Sequence, residues 1–116
     1  MAGAVSLKKL TLKNPFIASS GTCGYADADL IPLDKFGAAV TKTITLLPRQ
    51  GNRPPRLVET PAGLVNSIGL QNMGLEAFKQ FLTDFKKPTT LIVSVGGESP
   101  EDFATIVEEL NTYDLI

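Results

Sequence analysis

The sequence predicts a parallel α/β fold, and three observations carry that reading. Strands at 16–18, 38–45 and 89–95 alternate with amphipathic helical stretches, the order that lays helices on a parallel sheet. The second and third strands are rich in Ala and β-branched residues, a composition suited to strands covered on both faces. The unusual polar residues, Ser20, Lys42, the loop around Asn66, and Ser94, all fall at or beyond strand carboxyl ends. Parallel sheets carry their sites there. Two layouts satisfy this pattern: a doubly wound sheet, or the first half of a barrel of about 250 residues. No G-x-G-x-x-G opens a helix after the first strand, which counts against the dinucleotide-binding form.

Taken in order, Val5, Leu7, Leu10 and Leu12 bracket Lys8-Lys9 and predict two short strands around a turn, closed by Asn14-Pro15. The strand at 16–18 runs into Ser19-Ser20-Gly21-Thr22-Cys23-Gly24, whose small side chains let a flat ligand approach the backbone, or simply make a tight turn. A short helix over 25–34 is weakened by Pro32. Lys42 near the end of the second strand must reach solvent, an acidic partner or a ligand, because a buried unpaired ammonium is costly.

Residues 46–63 form a long irregular excursion with four prolines, two glycines and three arginines (Arg49, Arg53 and Arg56). Without interleaved aromatics these arginines read as loop-fixing or solvated groups, not an RNA-binding patch. The stretch Val65-Asn66-Ser67-Ile68-Gly69-Leu70-Gln71-Asn72-Met73-Gly74 mixes amides and a hydroxyl with apolar anchors, and is neither a clean strand nor a clean helix. Leu75, Phe78, Leu82 and Phe85 then repeat at helical spacing, with Asn72 as the cap and Lys86-Lys87-Pro88 at the end. Ser99-Pro100-Glu101-Asp102 starts a second helix with serine at N-cap, proline at N1 and an acid at N3. Phe103, Ile106, Val107 and Leu110 give its apolar stripe, and 113–116 read as a turn entering a fourth strand.

With 116 residues, 43% of them hydrophobic and 20% charged, the chain has the composition of one folded domain. Residues 1–58 carry eight Lys/Arg against three Asp, a net of +5, and 59–116 carry three Lys against nine acids, a net of −6. That polarity suits an anionic small ligand and falls short of the basic excess nucleic acid demands. There is no histidine and one cysteine, so a zinc site and an internal disulfide are not expected, and a reducing cytoplasm is. No run reaches the length of a membrane span, and Lys8-Lys9 interrupts any signal-like stretch.

Four motifs, A-S-S-G at 18–21, T-K-T-I-T at 41–45, L-P-R-Q-G-N-R-P-P-R at 47–56 and E-T-P-A-G-L-V-N-S-I-G-L-Q-N-M-G at 59–74, resemble the N-terminal part of class 1 dihydroorotate dehydrogenases. The resemblance covers the chain from Leu10 onward. It implies that residues 1–116 are an incomplete barrel domain, the N-terminal portion of a TIM (β/α)8 barrel whose short first strands close the barrel bottom. It implies oxidation of (S)-dihydroorotate to orotate with FMN as hydride acceptor, in pyrimidine biosynthesis. Ser20, Lys42, Thr43 and Ser94 match the family's FMN contacts. Lys42, Asn66, Ser67, Ile68, Gly69 and Leu70 match its substrate contacts, with Lys42 on the orotate carboxylate.

The context at 59–70 leans toward class 1B, which implies a homodimer with an FAD and [2Fe–2S] partner subunit passing electrons to NAD+. Ser94, where asparagine is more usual in class 1B, leaves the fumarate-using class 1A homodimer open. The family's base is a cysteine in an N-x-S-C-P-N loop after the fourth strand, expected beyond Ile116, so Cys23 is not that base and the isolated segment is expected to be inactive. The alternatives are a dihydropyrimidine dehydrogenase domain and a catalytically inactive half barrel.

Overall fold

The computed structural model of the chain describes residues 3–27, 29 and 31–116. In chain order its elements are β1 (Val5–Leu7), β2 (Leu10–Leu12), β3 (Ile17–Ala18), a 3-10 turn at Leu33–Lys35, β4 (Ala38–Val40), β5 (Leu57–Thr60), β6 (Gly63–Asn66), α1 (Gly74–Asp84), β7 (Thr90–Ile92) and α2 (Pro100–Leu110). The chain is thus a mixed α/β fold of parallel and antiparallel strands, with two α-helices among the described residues.

The central unit is a parallel sheet in the order β3-β4-β7, with Ala18 beside Ala39 and Ala39 beside Leu91. Ile116 extends it: its N–H donates to the Leu91 carbonyl at 3.0 Å and its carbonyl accepts from Val93 N–H at 2.6 Å, the pattern of a parallel neighbour. Each new strand is therefore added to the same edge. The common doubly wound orders reverse direction by the third or fourth strand. The observed progression is that of an unclosed (β/α) barrel fragment.

Two apolar clusters hold the layers together. Ala18, Ala39 and Leu91 on one sheet face pack with Cys23, Ala26 and Leu33, and Leu82 and Phe85 close over them. Ile44, Leu75, Phe78, Ile106 and Leu110 join α1 to α2 just past the strand ends. Phe78 is fully buried, worth about 1.5–3 kcal/mol. Its ring lies 5.9 Å from Tyr25 and 6.0 Å from Phe81.

The start of α2 matches its sequence signature. Asp102 N–H donates to Ser99 Oγ at 3.2 Å, and Asp102 Oδ2 accepts from Glu98 N–H at 2.8 Å. That backbone donor, above all, holds the Asp102 carboxyl below its ordinary range. On the outer surface Lys79 joins the two helices, donating to Glu109 at 2.7 Å and to Glu76 at 3.3 Å. The Glu109 contact leads in raising the pKa of this half-buried lysine.

Several expectations are corrected. The strand expected over 38–45 stops at Val40, and pairing with the 89–95 segment resumes as a single bridge from Ile44 to Val95. The ladder breaks because the Thr41 hydroxyl, in place of a backbone carbonyl, accepts Ser94 N–H at 3.2 Å. At 16–18 only Ala18 is buried. Phe16 and Ile17 are 61% and 43% exposed, because β3 is an edge strand.

The helix expected over 25–34 includes Ala28 and Leu30, which lie outside the described residues. Of the rest, only Leu33–Lys35 winds, following Pro32. Upstream, Asp27 Oδ1 takes Asp29 N–H at 3.1 Å, a local bond that competes with helix. Met73, not Asn72, is the N-cap of α1, yet Asn72 Oδ1 still accepts Gly74 N–H at 2.9 Å from one position earlier. Lys86 and Lys87 lie past the end of α1, and Lys87 pairs with Asp114 at 2.6 Å instead.

The excursion at 46–63 is not wholly irregular. β5 and β6 form an antiparallel hairpin around Pro61-Ala62, with Val58 opposite Val65 and Leu57 opposite Asn66. Val65 and Asn66 thus belong to a strand. The α2 stripe is half covered: Ile106 and Leu110 are buried, whereas Phe103 and Val107 are 43% and 56% exposed.

The β1–β2 hairpin sits toward the amino ends of the sheet. Leu10 lines a cleft with Thr89 and Thr90, and Asn14 Nδ2 donates to Lys35 O at 2.9 Å just before β4. A Cβ on Gly37 would collide with the Asn14 carbonyl oxygen, so only glycine lets these backbones pass. Gly37→Ala should therefore destabilise the chain by about 1–3 kcal/mol, the cost of overpacking a rigid site, read as a lowered urea midpoint.

Candidate functional site

Three strand ends converge on one polar chain. Ser20, two residues past β3, donates its Oγ proton to Thr41 O at 2.7 Å. Thr41, fully buried just past β4, accepts Ser94 N–H on its hydroxyl. Ser94, two residues past β7, completes the chain through a 2.9 Å hydroxyl contact with Thr43. The structure therefore brings together Ser20, Thr43 and Ser94, and Thr41 is the hub that positions them.

Lys42 stands between the two threonines and is half-buried. Its backbone N–H is tied to Gly24 O at 2.7 Å, fixing the first loop against the strand end. Among the described residues no ion pair or hydrogen bond involves its ammonium. Of the options open to this lysine, a structural ion pair is thus not realised among those residues.

The 66–70 stretch is braced from two sides. Asn52 Nδ2 donates to Ser67 Oγ at 2.8 Å and Ser67 O at 3.1 Å, and Asn52 N–H donates to Ile68 O at 3.0 Å. Gly69, at φ 75°, lies so close to Asn52 that a Cβ would stand 2.6 Å from its nitrogen. Arg56 donates to Asn52 O, to Gln71 Oε1 at 2.6 Å and to Gln50 O at 3.0 Å, and its own carbonyl accepts Ser67 N–H at 2.7 Å. Leu70 reaches inward: a Cβ on Gly96 would meet Thr43 Cγ2 at 3.1 Å and Leu70 Cδ2 at 3.5 Å. Leu70 and Thr43 therefore share one neighbourhood. Asn66 is exposed at the end of β6, and no hydrogen bond joins it to Lys42, Thr43 or Ser94.

The arrangement gathers polar groups of several kinds at one end of the sheet. Hydroxyls can donate and accept, an ammonium can meet an anion, and a glycine-bearing loop lies alongside. Comparison with known proteins gives the family. The sequence model of dihydroorotate dehydrogenase matches residues 3–116. This chain belongs to the dihydroorotate dehydrogenase family. Among its relatives is the catalytic subunit of dihydroorotate dehydrogenase B (NAD(+)) from Pelobacter propionicus, 46% identical over 111 residues, covering 92% of this chain and 36% of that subunit. The subunits of the same name from Desulforudis audaxviator and Thermodesulfovibrio yellowstonii are 45% and 42% identical, covering 93% and 92% of this chain and 36% and 37% of those subunits. The chain spans a little over a third of the length of these relatives.

Cys23 is buried in the core with Ala18 and Leu33. Sequence reasoning missed Thr41, Thr45, Asn52 and Asn72 as organisers of the site. The T-K-T-I-T alternation marked Thr41 and Thr45 only as strand residues, and nothing local announces partners 27 to 53 positions away. Tyr25 was missed as well; its hydroxyl accepts Met73 N–H at 3.0 Å and seats the head of α1 against the first loop.

Thr41→Val keeps the volume and removes the acceptor for Ser94 N–H. It should cost about 1–3 kcal/mol, the penalty for an orphaned buried donor, and hydrogen exchange at Ser94 should accelerate while exchange in α2 does not.

Proposed function

We propose that this chain supplies the first strands of a TIM (β/α)8 barrel that oxidises (S)-dihydroorotate to orotate. The observation that carries the reading is the hydrogen-bonded set of Ser20, Thr41, Ser94 and Thr43 at three adjacent carboxyl ends, with Lys42 in its midst. The β1–β2 hairpin would close the barrel bottom, consistent with its place at the amino ends of the sheet.

The donor set fits FMN. Ser20, Thr43 and Ser94 offer hydroxyls that serve ring carbonyls and nitrogens alike, and Lys42 offers a cation. Gly96 leaves bare backbone beside Thr43, where a side chain would crowd the site. When bound, FMN supplies the hydride acceptor. The chain's own residues bind and orient. Lys42 would neutralise the substrate carboxylate, and the Asn66 amide would hydrogen-bond the pyrimidine edge. Ser67, Ile68, Gly69 and Leu70 would present the backbone that completes the clamp.

The family resemblance implies a cysteine base in a loop outside residues 1–116, and Cys23, buried in the core, is not offered for that role. The relatives' shared name, which specifies the B form and NAD(+), favours class 1B. The assembly that the class 1B resemblance implies is a homodimer with an FAD and [2Fe–2S] subunit that delivers electrons to NAD+ in the cytoplasm. No described helix is long and apolar enough to cross a membrane.

Residues 1–116 alone should neither turn over dihydroorotate nor retain FMN, since the sheet is open and Phe103 and Val107 are uncovered. Stoichiometric flavin absorbance in the purified chain would refute this. The site itself is best tested in a chimera in which residues 3–116 replace the matching segment of the Pelobacter propionicus subunit. There Lys42→Ala should weaken orotate binding at least about tenfold, or roughly 1.4 kcal/mol. Asn66→Ala should weaken orotate more than FMN. Unchanged orotate affinity in the first variant, or equal loss of both ligands in the second with folding intact, would reject these roles.

A further inference from the structure

We propose that Asn72 is a positioning residue that references the candidate substrate clamp to the strand end bearing Lys42 and Thr43. The inference rests on the functional reading above and adds to it a residue that touches neither ligand. Asn72 is 7% exposed, and its side-chain amide is fully used. Oδ1 accepts Thr45 N–H at 3.2 Å and Gly74 N–H at 2.9 Å. Nδ2 donates to Thr45 Oγ1 at 2.8 Å and to Leu70 O at 2.9 Å. The backbone of Asn72 also exchanges two 3.0 Å hydrogen bonds with Arg49.

The side chain thus joins the continuation of β4, the head of α1 and the inner end of the clamp, while the backbone of the same residue ties in the 47–56 loop. The point it holds is a strained one. Leu70 sits at φ 57°, next to Gly69 at φ 75°. A leucine disfavours that left-handed backbone, which glycine adopts freely. Without an acceptor-specific brace, Leu70 would relax toward negative φ and carry the 66–70 backbone away from Thr43. An aspartate at 72 could not substitute, because it has no N–H for Leu70 O or Thr45 Oγ1.

The experiment uses the chimera loaded with FMN, with orotate affinity read from the flavin spectrum and amide exchange read over 66–71. Asn72→Ala should weaken orotate binding about tenfold. It should speed exchange over 66–71, leave β4 and β7 protected, and leave FMN content unchanged. Adding Leu70→Gly to Asn72→Ala should recover part of the lost orotate affinity, because glycine adopts positive φ without strain; a general loss of stability would not be relieved this way. Thr45→Val, which removes one partner and keeps the volume, should shift affinity in the same direction by less, and it decides the matter if Asn72→Ala does not fold.

Unchanged affinity and exchange in a folded Asn72→Ala protein, an absence of rescue by Leu70→Gly, or an unaffected Thr45→Val would each overturn the proposal. If the unmodified chimera binds no orotate, the functional reading fails and takes the substrate role of Asn72 with it. Exchange over 66–71 unaltered by Asn72→Ala instead defeats the positioning role alone.

Discussion

The whole arrangement depends on β4 being flanked on both sides by parallel partners. Ala38 and Ala39 are completely buried, and their small side chains let the layers on either side approach closely. The parallel register sets Ala18, Ala39 and Leu91 level, so that all three strands deliver their carboxyl ends to the same side. Had any pair been antiparallel, Ser20, Thr43 and Ser94 could not meet. The chemistry of the site is therefore a consequence of backbone direction before it is a matter of side chains. Gly37 enforces that geometry from the other end, where the chain squeezes past Asn14.

Beyond the strands, order passes from the backbone to hydroxyls and amides. Thr41 is the handover point: its N–H still donates to Ile92 O at 2.9 Å in the ladder, while its side chain has begun to serve Ser94. From there to Asn72 the chain is held by neutral groups and by one guanidinium that binds three neutral acceptors. Arg49 is the exception, paired with Glu98 across the loops that follow β4 and β7. Exposed ion pairs of this type contribute little to stability, so the precision of the loops rests on the neutral hydrogen bonds, of which those joining Asn72 to Thr45 and Gly74 are buried.

The sequence announced the repeating strand-and-helix order, the α2 cap and the polar residues at strand ends, because each has a local signature: β-branched composition, Ser-Pro at a helix start, or a small-residue loop after an apolar run. It did not announce the β5–β6 hairpin. Leu57–Thr60 and Gly63–Asn66 are short, exposed on every residue and flanked by prolines, so neither burial nor period marks them. Strand lengths were overread because Thr41 looks like any β-branched strand residue until its distant partner is known. The roles of Asn52, Thr45 and Asn72 were illegible for the same reason. Amide networks that join residues far apart in sequence leave no periodic trace.

Those neutral braces have one more consequence. The sequence contains no histidine, and the groups that fix the 66–70 ribbon are amides, hydroxyls and a guanidinium, none of which changes charge between mild acid and mild base. The frame is in effect proton-blind. Between mild acid and mild base these particular contacts therefore keep their charge state, and the 66–70 ribbon adds no titration of its own.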